Sequence, residues 1–293
     1  MPLPARYQEK KHPLFELIGA GLVLLQLIIT LTRTYIRYDW LLDTIWLLTA
    51  ATLCLLELAK DKPNTKLPAW LTDPNTSLLC GLYLVLYNFL GFFLTIGSGG
   101  FDLVIYLAGM IIYALALYYR LNENNISIKT FNWKNLLRFP HWTISLALVL
   151  CFFALFFHMS KFTGLGSYYG MQFGYSAYSG YGYNSWGYNF YNRDYIVKGY
   201  MAPWGAFAGL VMLHLAAFHI LKAAGGKVFP KLDLVAKIAV PVLFAWWIFG
   251  AKGYNALAGF GTILFLIGFI LLALSVYLPD KLAEWVKRKD LVK

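Results

Sequence analysis

Eight long apolar stretches, separated by short polar segments, constrain this chain more than any other feature. They cover 14–32, 41–59, 77–96, 101–119, 143–163, 200–222, 234–250 and 254–278. A hydrocarbon layer of about 30 Å takes about 20 residues of helix to cross, so each stretch is long enough to span. A membrane β-barrel would alternate over segments of about 10 residues. These runs are continuously apolar, so they read as helices. Composition agrees: 13% of residues are charged, against about 25% in a soluble domain. The expected fold is therefore all-α, a polytopic membrane helical bundle of about eight transmembrane helices forming one integral domain over 1–293.

Charge sets an orientation. With the N-terminus placed inside, 19 of the 25 Lys and Arg fall on the inner segments and six on the outer ones. The positive-inside rule then puts both termini in the cytoplasm. The first stretch is longer than a signal-peptide core and is followed by Arg33 and Arg37 rather than a small-residue cleavage site, so it reads as retained. The formal charge of +11 is answered by anionic membrane lipid, and no nucleic acid is expected. The tail, 279–293, places Leu282, Trp285 and Val286 at helical spacing among basic residues. It reads as a basic amphipathic cytoplasmic helix on the inner leaflet.

An ionisable or polar group at membrane depth marks a functional site by default. Glu16, Asp43, Glu57 and Asp102 fall near span ends and read as interfacial carboxylates. Deeper lie Gln26, Asn88 and His214, which are the pocket candidates, with His158 nearer the outside. No carboxylate or lysine accompanies them, which speaks against carriers that couple through a buried carboxylate. His158 and His214 differ in depth, so intrinsic haem is not expected. His141 and His219 match in depth, at the inner rim. No Cys/His spacing fits a metal. Cys54, Cys80 and Cys151 fall inside spans and read as small apolar packers. Gly205 and Gly209 form a small-residue packing motif. His214 points away from that face, towards a neighbouring helix or a pocket. Pro241 is expected to kink the seventh span.

The segment 164–199 stands apart from the rest. It holds nine Tyr and eight Gly, with Trp186, Phe173 and Phe190, and only three charges. Glycine frees the backbone, and tyrosine offers a flat apolar face with a polar end. Three roles compete: an aromatic belt over the outer headgroups, a docking surface for an extracytoplasmic protein, and a stacking platform for sugars. Under the second, Tyr175, Tyr178, Tyr181, Tyr183, Trp186, Tyr188 and Tyr191 are the partner-docking residues.

The chain carries no P-loop, no HExxH, no histidine box and no nucleophile–base pair, so no catalytic residue is assigned. The leading expectation is an integral subunit of a larger membrane complex, with other protein subunits as partners, at least one of them extracytoplasmic. Its most concrete form is a quinone-linked respiratory anchor. There, the quinone oxygens would meet His158, Tyr168 or Tyr169 on the outer side, or His141 or His219 on the inner side. The eight-span layout resembles the membrane anchors of polysulfide and related reductases, in layout alone and with no motif matched residue by residue. Two rivals remain: a transporter or channel for a small neutral or hydrophobic solute, and a lipid- or glycan-processing membrane enzyme.

Overall fold

The computed structural model describes residues 12–33, 40–60, 68, 74–95, 100–123, 132–137, 141–162, 195–202, 204–223, 232–252 and 257–290; within these, some side chains, that of Gln26 included, are not described. Most of the described residues in the apolar stretches are helical, and the chain forms two compact units, one holding the first four helices and one holding the elements from Asn132 onward.

The first unit contains α1 (His12–Arg33), α2 (Trp40–Lys60), α3 (Pro74–Thr95) and α4 (Phe101–Glu123). Each packs against the next, and α1 closes the ring against α4. The helices form because long apolar side chains lose little freedom in a helix and because backbone groups in lipid must be bonded within their own segment. Small residues let them approach. A side chain at Gly19 would collide with the Tyr113 ring, and one at Gly91 would collide with the Tyr106 ring. The interior is aromatic and aliphatic, built on Trp46, Tyr113, Leu53, Leu84 and Ala50, with the Trp46 and Tyr87 rings tilted against each other at a centroid distance of 4.0 Å.

The second unit contains α5 (His141–Ala154), β1 (His158–Phe162), β2 (Tyr195–Lys198), α6 (Gly205–Ala223), α7 (Leu232–Trp246), β3 (Leu257–Ala258), α8 (Phe260–Tyr277) and α9 (Pro279–Asp290). The strands form an antiparallel sheet in the order β2-β1-β3. The fifth apolar stretch is therefore not one helix to residue 163. Its helix stops at Ala154, tightens through i→i−3 bonds at Leu155, Phe156 and Phe157, and continues as a strand. Hydropathy alone does not separate a helix from a strand inside one apolar run. Fourteen helical residues span about 21 Å, less than the hydrocarbon layer of about 30 Å. The sixth helix begins at Gly205, five residues later than expected, and α8 begins at Phe260.

The tightest packing in this unit is between α5 and α8. Gly261, Gly268 and Ser275 recur every seven residues along α8, all buried. A Cβ at Gly268 would lie 2.8 Å from the Ala147 carbonyl oxygen, and one at Gly261 would lie 2.9 Å from that of Ala154. Ser275 Oγ sits 3.1 Å from Thr143 Oγ1. On its other face α8 exposes Phe260, Ile263, Ile267, Ile270, Leu274 and Tyr277. A water-facing helix would put polar groups there; a lipid-facing one would not.

Among the described residues, Leu103–Asn122, Gly205–Ala223, Asp233–Ala251 and Phe260–Tyr277 are long and apolar enough to cross a membrane, and Pro13–Leu25, Thr44–Ala59, Leu78–Phe93 and His141–Ala154 are shorter apolar helices. The protein is membrane-embedded and multi-pass.

Candidate functional site

The chain's chemistry-bearing groups gather in three places. The first is the end of the second unit that carries the sheet. β1 and β2 pair from Phe162↔Tyr195 back to His158↔Lys198, with an irregularity at Met159. The Tyr/Gly-rich segment is thus the connection of a β-hairpin, its two ends held opposite one another. β1 also pairs with β3 through Ser160↔Ala258 and Lys161↔Leu257, and Thr262 Oγ1 donates to the Met159 carbonyl. His158 is exposed, but its Nε2 accepts the Phe260 amide at 3.2 Å, and a Cβ on Gly259 would strike its ring. This histidine therefore ties the sheet to the first turn of α8. Lys161, Lys198 and Lys252 stand at the same end; Lys198 lies over Tyr200 and Lys252 over Trp247.

Trp204 has φ +60, a left-handed conformation that costs a non-glycine residue about 1–2 kcal/mol. It turns the chain into α6 at this end and leaves its indole half exposed. Gly205 follows because a Cβ there would lie 2.2 Å from the Gly199 carbonyl oxygen. The expected packing role of Gly205 is thus played against the chain's own preceding turn; Gly209 is buried on α6. Tyr168, Tyr169, Tyr175, Tyr178, Tyr181, Tyr183, Trp186, Tyr188 and Tyr191 lie outside the described residues.

The second place is the opposite end of the same unit. His141 opens α5 and His219 sits in the last turns of α6. Their rings meet with centroids 5.1 Å apart, and His219 Nε2 donates to the His141 carbonyl at 3.1 Å. His141 Nδ1 is buried with no hydrogen-bond partner among the described residues. Imidazoles in direct contact leave no gap for a porphyrin plane between them. Lys222 pairs with Asp233 at 2.6 Å, and the Tyr277 hydroxyl donates to the Lys237 carbonyl, closing this end. His214 lies higher on α6, where its Nδ1 donates to the Leu210 carbonyl of its own helix at 2.7 Å and its ring meets Phe218 edge to face.

The third is the interior of the first unit. Glu16 and Glu57, expected near the span ends, are enclosed by protein: they are 2% and 1% exposed. Arg120 reaches Glu16 from α4 at 2.5 Å, although its position in sequence reads as an inner loop charge. Helical phase explains this, because Glu16 shares a face with Ala20 and Val23, which point inward. Further up, Asn88 Nδ2 donates to the Leu84 carbonyl at 2.8 Å. Its Oδ1, Tyr113 Oη and Trp46 Nε1 are buried with no partner among the described residues. Asn88 Oδ1 packs against Gly109, where a Cβ would lie 2.8 Å away. Among the described residues no three His, Cys, Asp or Glu gather as a metal site would require.

Comparison with protein-family models, with curated proteins and with solved structures finds no match in any of the three.

Proposed function

We propose that this protein is an integral subunit of a larger membrane assembly, crossing the bilayer eight times with both termini on the cytoplasmic side, and that its Tyr/Gly-rich hairpin connection holds an extracytoplasmic partner. The observation that carries this reading is the pairing of β1 with β2 at the base of that segment. A long connection that only covered headgroups would not need its two ends fixed opposite each other. A docking loop does, because pre-ordering the stem lowers the entropy lost on binding. Tyrosine and tryptophan are the residues that anchor such interfaces, and long connections inside compact proteins usually have a function.

The stem makes the test clean. Replacing 163–194 by an Asn-Gly turn suits the Phe162↔Tyr195 end of the antiparallel pair. The shortened protein is expected to insert and to melt as the native one does, yet to lose its external partner during mild-detergent purification. Retention of every partner at native stoichiometry would contradict the docking role.

The finer, quinone-linked form of this reading rests on the His141–His219 pair, where a buried ring nitrogen has hydrogen-bonding capacity to spare. The same purification reads it out: quinone should extract from the native assembly and be absent from the His219→Leu assembly. Solute passage is the second reading, favoured by the polar groups inside the first unit. It predicts a chain that purifies alone or with copies of itself.

A further inference from the structure

The chain leaves α8 at Leu278, whose φ of −131 and ψ of 50 end the helix, and restarts at Pro279, a residue suited to a first helical position. Leu278 N still donates to the Leu274 carbonyl, and Leu282 N donates to that of Leu278. The backbone thus changes course while remaining bonded on both sides of the break. The exposed apolar stripe of α8 does not stop there. It passes through Leu274, Tyr277 and Leu278 to Trp285, all exposed. At 100° per residue, Leu282, Trp285 and Val286 share one face of α9. Lys281 borders that face. Asp280 and Glu284 fall on the opposite side.

We infer that α9 is a membrane-surface anchor that lies flat on the leaflet where α8 ends and selects anionic lipid. Trp285 and Leu282 enter the boundary between headgroups and acyl chains, the depth that indole rings favour. Lys281 runs its apolar stem along the border of this face and brings its ammonium group to lipid phosphates. The carboxylates face water. Lipid is the occupant because the apolar face of α9 continues the lipid-facing stripe of α8 without interruption.

The test uses the full chain in nanodiscs of phosphatidylcholine, with and without phosphatidylglycerol. A fluorophore is placed at Val286→Cys or at Glu284→Cys, with the three native cysteines replaced by alanine; amide exchange over 282–286 in the unaltered chain serves as an independent measure. The label at 286 should be quenched by a lipid-attached quencher, and the label at 284 only by a water-soluble one. Phosphatidylglycerol should raise the docked population about fivefold through Lys281, and Lys281→Glu should reverse that gain. Slowed exchange in anionic discs should accompany both. Equal water access at the two positions overturns the inference, as does equal shielding of both, which would mean a protein cover. Docking indifferent to anionic lipid also overturns it.

Discussion

Replacing Arg120 by methionine is expected to destabilise the protein by about 3–5 kcal/mol, the usual cost of stripping one partner from a buried ion pair. The guanidinium and the Glu16 carboxylate are both nearly sealed from solvent. Without Arg120 that carboxylate must either stay charged in an apolar bundle or take up a proton, and both are costly. The prediction is specific to the pair. Removing both charges, as Glu16→Leu with Arg120→Met, should recover most of the loss, because paired burial adds little net stability over well-packed apolar side chains. Chemical or thermal unfolding in detergent measures the cycle. A double variant as damaged as Arg120→Met alone would mean that Glu16 is not what Arg120 neutralises.

The second large effect lies on α8. Gly268→Leu should part α5 from α8, at about 3 kcal/mol, because the added carbons meet the Ala147 carbonyl oxygen and the Cys151 thiol within 3 Å, and a backbone carbonyl cannot give way as a side-chain tip can. Overpacking of this kind typically costs about 1–3 kcal/mol, and the branched side chain puts it at the upper end. Gly21→Ala and Gly81→Ala are the controls. A Cβ at either meets nothing within 4 Å, and alanine is the better helix former by about 1 kcal/mol. Those two variants should be neutral or stabilised. Equal damage from all three substitutions would show that the α5–α8 approach does not govern the result.

These two sites also mark what the sequence makes legible. The apolar runs announce their helices because lipid forces backbone bonding within a segment, and seven of the eight lie close to where hydropathy puts them. The fifth shows the limit, since the run from Cys151 to Phe157 is apolar throughout, yet the helix stops within it at Ala154 and a strand follows from His158. Glu16 and Arg120 show another. Distance along the chain gives depth, but only rotation about the helix axis decides whether a group faces lipid headgroups or protein. The phase of Glu16 with Ala20 and Val23 carried that information. On α8 the small-residue repeat of seven was likewise present as Gly261, Gly268 and Ser275, whereas attention to a spacing of four singled out Gly205, which packs on the turn before its own helix. The hairpin at the base of the aromatic segment had no local signature, because its strands are 32 residues apart in sequence and pair only in the folded chain.

The account rests most heavily on the aromatic hairpin connection and the C-terminal tail lying on opposite faces of one membrane. Single cysteines placed in 164–194 and in 287–293, probed in intact cells with a membrane-impermeant thiol reagent, test this directly. The account predicts that the hairpin position reacts from outside at once and the tail position only after permeabilisation. Labelling of both from the same side, or of the hairpin only from within, would contradict it.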